Sequence, residues 1–296
     1  MTQQQSGDLR GLPGPRRSFR RLTDLLKTLP RWAWPLVGLL LAAVLALSIW
    51  LVAEVWPETE DLTWQRILDT GVIRVCTDPS WPPFEYIDER TGDVKGLDID
   101  LASALAARLR PPGPAIRAEI VPVGFDSLYD ALLASRCDVI LSALPYEPER
   151  TQDVAYAISY FNAGMVFVVR DGTWDITGLD SLPGRVVGVE WGFVPEGDSQ
   201  QRLLLQALPL RRYDTAGDVL RALQSGEVDA ALVDQVSALD YLHQCQGLRI
   251  VGRPFTDVSY VIPVRLDAFR LLAELNRVLI EMREDGTITA LQDKWF

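Results

Sequence analysis

Two segments of this chain, 91 residues apart, share one plan, and that plan restricts the fold more than any other feature. Ala131-Leu132-Leu133-Ala134-Ser135-Arg136-Cys137-Asp138-Val139-Ile140-Leu141 resembles Ala222-Leu223-Gln224-Ser225-Gly226-Glu227-Val228-Asp229-Ala230-Ala231-Leu232. Each reads as a helix end, a tight turn, an aspartate and an apolar strand. A duplicated unit of this kind implies two similar α/β lobes. Just past the two strands stand Ser142-Ala143 and Val233-Asp234. Open α/β sheets bind ligands beyond the carboxyl ends of their strands, so two such ends facing each other make a cleft.

Patterning elsewhere agrees with an α/β class, because strand and helix signals alternate. Strands are predicted at Val72–Cys76, Ile116–Pro122, Val139–Leu144, Met165–Val169, Val186–Val189, Leu208–Tyr213, Ala230–Val233 and Val258–Val264. Helices are predicted at Asp98–Arg110, Phe125–Ala134, Gln200–Ala207, Ala216–Ser225, Val236–Gln244 and Phe269–Glu284. In the first helix, Leu101, Leu105 and Leu109 form one apolar stripe. Asp98 or Asp100 is placed to cap its free N–H groups, and Pro111-Pro112-Gly113-Pro114 forbids its continuation.

Charge is divided unevenly along the chain. Residues 1–31 hold seven basic and two acidic side chains, whereas residues 57–296 hold 22 basic and 37 acidic ones. So acidic a body is a poor match for nucleic acid, whose binding depends on neutralising phosphates. Between the two regions, Ala33–Ala53 carries no charge. About twenty apolar residues match the thickness of a hydrocarbon core. Trp32 and Trp34 at one end and Trp50 and Trp56 at the other resemble interfacial aromatic belts. The expected arrangement is a basic cytoplasmic tail (1–31), a transmembrane signal anchor (32–56), a polar spacer (57–61) and an extracytoplasmic body, by the positive-inside rule. Cleavage at Ala46-Leu47-Ser48 is the alternative, although the apolar run exceeds a usual signal-peptide core.

The residues favour recognition over catalysis. His243 is the only histidine, and no zinc, P-loop or dinucleotide motif is present. No cofactor or metal is expected, and no ordered acid/base pair is visible. Of the cysteines, Cys76 and Cys137 fall in or beside strand patterns and are possible neighbours, with buried thiols the favoured reading of each. For recognition, Trp81 and Phe125 follow strands and offer flat apolar walls. Arg150 offers a guanidinium that holds a carboxylate by two parallel hydrogen bonds; pairing with Glu147 or Glu149 is its other reading. Asp234 can accept from an ammonium group or cap the next helix.

Several ordered motifs then carry a resemblance. Gly96-Leu97-Asp98-Ile99-Asp100-Leu101, Thr77-Asp78 with Trp81-Pro82-Pro83-Phe84-Glu85, Pro148-Glu149-Arg150, Gly226-Glu227-Val228-Asp229-Ala230 with Asp234, and the ending Asp293-Lys294-Trp295-Phe296 stand in this order. Together they resemble the bacterial extracellular solute-binding proteins, family 3, the polar amino-acid type, over about residues 62–296. The resemblance implies a two-lobe periplasmic-binding-protein type II fold with a ligand cleft between the lobes. Lobe 1 would comprise 62–162 plus 266–296, and lobe 2 would comprise 163–265. It implies a non-enzymatic protein that closes over a small ligand and delivers it to an ABC permease in the membrane. By matching position, Trp81 and Phe125 would sandwich the ligand, and Arg150 would clamp an α-carboxylate. Asp234 would take an α-ammonium, with backbone help at Ser142 and Ala143, and Asp78 would reach a ligand side chain. Gly192 and Phe193 would form the second-lobe contact.

Three positions depart from the family pattern. Pro145 stands where a hydroxyl residue usually helps hold the carboxylate, Phe193 where a threonine commonly donates, and Glu147 where a threonine precedes Pro148. A sensor acting through a partner subunit is a second reading of the same lobes. A dehydratase using Glu147 or Glu190 as general acid is a third.

Overall fold

The computed structural model describes residues 30, 34–55, 60–109, 115–193 and 199–296. It divides into a unit ending at Thr59 and a unit from Glu60 to Phe296, each described here by itself. In the first, a helix runs over Trp34–Val55. Among the fully described residues no helix is long and apolar enough to cross a membrane; the side chains at 37, 41 and 49–55 fall outside that description. The expected tail, apart from Pro30, and positions 57–59 of the expected spacer also lie outside the described residues.

The second unit begins with a correction. Asp61, read as the end of a spacer, is 2% exposed and is the N-cap of the helix Leu62–Thr70. Its carboxylate accepts from Trp64 N at 2.8 Å, and from Arg270 N and Leu271 N at 2.8 and 3.1 Å. One side chain thus satisfies free N–H groups at the starts of two helices, Leu62–Thr70 and Phe269–Glu284.

The described strands, in chain order, are β1 (Val72–Thr77), β2 (Ser80–Trp81), β3 (Glu85–Ile87), β4 (Val94–Lys95), β5 (Arg117–Pro122), β6 (Val139–Ile140), β7 (Val154–Tyr156), β8 (Phe161–Asn162), β9 (Met165–Arg170), β10 (Val187–Glu190), β11 (Leu210–Tyr213), β12 (Ala230–Asp234), β13 (Leu248–Val251), β14 (Ser259–Tyr260) and β15 (Pro263–Arg265). Ten of them form two five-stranded sheets of the same design, β5-β1-β6-β15-β7 and β11-β10-β12-β9-β13, and β2-β3-β4 form a small separate sheet. In each five-stranded sheet, three parallel strands are followed by two antiparallel neighbours. The antiparallel pair β8–β14 joins neither large sheet, and the chain passes from one lobe to the other at these two segments.

The repeat has a structural purpose. Asp138 N donates to Arg74 O, and its carboxylate accepts from Arg74 N at 2.7 Å, which docks β6 beside β1. Asp229 does the same for β12 and β10, through Val186 O and Val186 N at 2.9 Å. Strand register is set there by two short charge-assisted contacts instead of by the apolar run alone.

Two sequence readings of this region change. The strand expected over Val258–Val264 is two strands, β14 in the crossing pair and β15 in the first sheet. Pro263–Arg265, placed at the outset in lobe 2, therefore hydrogen-bonds within the sheet of lobe 1. Cys76 and Cys137, read as buried thiols, form a disulfide with Cα atoms 5.7 Å apart. It ties β1 to the turn preceding β6 and packs with Leu128, Leu132, Ile140 and Leu144.

Candidate functional site

Beyond the carboxyl ends of β1 and β6 lies a cavity of about 330 Å³, lined by Asp78, Ser80, Trp81, Glu85, Phe125, Ser142, Ala143 and Tyr260. Five of the nine candidate residues meet here: Asp78, Trp81, Phe125, Ser142 and Ala143. Trp81, at the end of β2, and Phe125, at the start of a short 3-10 turn, leave 55% and 50% of their surfaces exposed. Rings this open in one cavity are available to cover an apolar ligand body or to face a cation. Burial pushes the phenol of Tyr260 up to about 12, so it enters the cavity as a neutral group.

The polar side of the cavity is a chain of hydrogen bonds. Asp78 Oδ2 accepts from Phe125 N at 3.0 Å, which fixes the carboxylate beside the aromatic wall. Asp78 N donates to Ser142 Oγ at 2.9 Å, and Ser142 Oγ donates to Glu85 Oε1 at 3.0 Å. Below them, Asp98 Oδ2 accepts from Ala143 N at 2.7 Å and from Tyr160 OH at 2.8 Å.

This last contact overturns the expected capping role of Asp98. The helix starts at Leu97 behind Gly96, and Asp98 points inward, with no exposed surface. Gly96 is required at that entrance: a Cβ there would sit 2.0 Å from Phe84 O, and its φ of +141° suits glycine. Ala143 carries a φ of +43°, a region that costs a residue with a Cβ on the order of 1 kcal/mol. The bond from its N–H to Asp98 holds it there. That bond also explains why β6 stops at Ile140, short of the predicted Leu144: the backbone turns to meet Asp98 and Asp78 instead of continuing the ladder.

The structure also brings together an acid pair that the sequence did not suggest. Glu85 and Asp98 are both buried, and their carboxyls accept from the adjacent residues Ser142 and Ala143. Burial, reinforced by the neighbouring Asp98, pushes the Glu85 carboxyl far above its ordinary value, to about 10. Burial also raises Asp98, against the lowering effect of Ala143 N and Tyr160.

The other four candidates lie elsewhere. Arg150 stacks over the Tyr129 ring at 4.7 Å and reaches Glu147 at 3.7 Å, so its alternative surface pairing is the one observed. Asp234 caps the helix Gln235–Gln244, accepting from Ser237 N at 2.8 Å. Gly192 takes a φ of +83° after β10, and the half-buried Phe193 packs on the core of the second lobe with Phe167 and Val189. Glu147 and Glu190 do not line the cavity either. A wider depression of about 560 Å³ in the second lobe is lined by Trp191, Arg212, Asp218 and Arg221 among others, but it includes none of the nine candidates. Its Arg221 and Asp218 are paired with each other.

Sequence reasoning missed Ser80, Glu85 and Tyr260. Glu85 was in plain view in the loop motif, but its burial and its bond to Ser142 come from the fold. Tyr260 belongs to a crossing strand that no local pattern separates from its neighbour.

Comparison with known proteins places these features in context. The family model of bacterial extracellular solute-binding proteins, family 3, matches residues 73–296. The putative ABC transporter arginine-binding protein 2 of Escherichia coli (strain K12) is 29% identical over 232 residues, covering 76% of this chain and 90% of the relative. The lysine/arginine/ornithine-binding periplasmic protein of the same organism is 30% identical, covering 76% of this chain and 87% of the relative. Among solved structures, an ancestral cyclohexadienyl dehydratase is 27% identical with a TM-score of 0.67, covering 78% of this chain and 94% of that one.

Proposed function

Because this chain belongs to the bacterial extracellular solute-binding proteins, family 3, we propose that it captures an amino acid outside the cytoplasm and presents it to an ABC permease. Within that class, an amino acid with a cationic side chain fits the cavity best. The observation that carries this reading is that the Asp78 carboxylate, fixed by Phe125 N, lines one cavity with the half-exposed rings of Trp81 and Phe125. A carboxylate in one cavity with aromatic faces attracts a guanidinium or ammonium by charge and by the ring quadrupoles together. The similar relatives are named for binding arginine and for binding lysine, arginine and ornithine, which supports the same ligand class.

The proposed cycle has an open state, in which the first-lobe cavity receives the ligand, and a closed state, in which Asp234, Gly192 and Phe193 complete the contact. A ligand that touches both lobes favours closure by its extra affinity for the closed arrangement. The helix Trp34–Val55 is proposed as a single-pass membrane anchor with residues 1–31 in the cytoplasm, on the strength of its uncharged run and flanking tryptophans. Tethering keeps the binding domain beside its permease and raises its effective concentration there.

Calorimetric titration of the full chain in detergent with arginine, lysine, ornithine and histidine tests the reading. Saturable one-site binding of a cationic amino acid is expected, and silence across the panel contradicts it. The dehydratase reading draws on the ancestral neighbour; it lacks its proposed acids, since Glu147 and Glu190 are away from the cavity.

A further inference from the structure

We propose that Glu85 and Asp98 hold a single proton between them, carried by Glu85, and that this neutral acid is a positioning residue for the ligand cavity. The inference rests on the amino-acid-binding reading for its ligand, but the proton pair itself stands on geometry. Glu85 Oε2 and Asp98 Oδ1 are buried and lack any other hydrogen-bond partner. They belong to neighbouring carboxyls: Asp98 N donates at 2.9 Å to the carbonyl of Phe84, the residue before Glu85, and the two carboxyls accept from the adjacent residues Ser142 and Ala143. Two ionised carboxylates there would leave both oxygens unsatisfied and facing like charge, a costly arrangement in a buried site. One proton satisfies both: Glu85 O–H donates to Asp98, and Asp98 remains the acceptor that Ala143 N and Tyr160 OH require.

The surrounding described groups include no paired cation. Asp78 lies on the cavity side, Tyr160 on the crossing-strand side and Tyr260 above, with Asp234 acting on Tyr260 in turn. Among the described residues, no lysine, arginine or histidine makes a salt bridge with Glu85 or Asp98.

The proton has consequences for binding. It lets Glu85 accept from Ser142 with its other oxygen, and Ser142 in turn receives Asp78 N. An unbroken chain therefore runs from Tyr160, beside β8, through Asp98, Glu85 and Ser142 to Asp78 and Phe125. Both Glu85 oxygens are engaged in it, so Glu85 neither contacts ligand as a base nor offers its proton to one. Asp78 is left as the cavity carboxyl that is free to meet a cationic group.

Glu85→Gln is the informative variant, since its amide donates to Asp98 and its carbonyl accepts from Ser142. Infrared difference spectroscopy of the full chain at about pH 8, where ordinary carboxyls are ionised, is expected to show a protonated-carboxyl band. That band disappears in Glu85→Gln and persists in Asp78→Asn. The unfolding stability of the wild type is expected to fall with rising pH, relative to Glu85→Gln, with the slope of one proton. With L-arginine as probe, Glu85→Gln retains affinity within about threefold, whereas Glu85→Ala loses about tenfold or more through the two buried partners it strands. Absence of the band, its survival in Glu85→Gln, or a pH slope shared by both proteins overturns the pair. Failure of Glu85→Gln to retain affinity overturns the positioning role. If the wild type ignores L-arginine, the ligand reading fails, while the band and the slope still decide the pair.

Discussion

Asp138 and Asp229 occupy equivalent places in the two sheets and do the same work for the backbone, yet they differ in surroundings. Asp138 has no exposed surface and is paired with both Arg66 and Arg74. Asp229 is half-buried and spends its carboxylate on a single backbone N–H of Val186. The shared contact defines the fold unit, and the extra ions define the first lobe. There the docked strand leads into Ser142 and Ala143, which line the cavity. The first lobe is therefore the preorganised half of the site, held by Asp138, the Cys76–Cys137 disulfide and Asp98. The second lobe presents its candidate residues, Asp234 and Phe193, engaged in local duties as a helix cap and a core contact.

The largest way to break this comparison is to remove the two aspartates separately. Asp138→Ala strands two partly buried guanidinium groups and should cost about 3–5 kcal/mol. Asp229→Ala removes one charge-assisted backbone bond and should cost about 1.5–3 kcal/mol. Urea unfolding of both variants checks the ranking, and equal losses would erase the distinction between the lobes. Next comes the disulfide. Its sequence separation of 61 corresponds to about 4 kcal/mol of unfolded-chain restriction. Paired Cys76→Ser and Cys137→Ser replacement should lower the unfolding free energy by a comparable amount, and an unchanged unfolding free energy would deny the first lobe its extra constraint.

Smaller effects sharpen the account at the cavity itself. Trp81→Ala should weaken binding of a cationic amino acid by about 1–2 kcal/mol. Its side chain is more than half exposed, so stability should change by less than about 0.5 kcal/mol. A large loss of stability with intact affinity would make Trp81 a structural residue. Stability should also decline as pH rises from the ordinary carboxyl range toward about 10, the raised value of Glu85. The sign follows because the folded state holds a proton that the unfolded chain releases across this interval. Absence of any decline attributable to Glu85 over the same interval, seen as an equal profile in Glu85→Gln, would mean that Glu85 is ionised in the folded protein.

Much of the fold was legible because apolar spacing and helix ends are local signals. Ala216–Ser225 and Phe269–Glu284 appear with the predicted limits, the former bounded by the cap of Thr215 and the left-handed Gly226. The cavity was legible where side chains follow strands, as at Asp78, Trp81 and Phe125. What stayed hidden depends on contacts between distant segments. Asp98 sits in the first turn of a helix, where a capping role is the natural reading, and only the fold shows Ala143 and Tyr160 meeting it 45 and 62 residues away. Arg150 reads as a carboxylate clamp by its motif, but Tyr129 and Glu147 hold it in this structure.

The central claim is that Asp78, in one cavity with Trp81 and Phe125, recognises the cation of an amino acid. Parallel calorimetric titration of L-arginine into the full-length wild type and Asp78→Asn tests it directly. The account predicts one-site binding in the wild type and an affinity at least about tenfold weaker in the variant, about 1.4 kcal/mol. Equal affinity in the two proteins would contradict it.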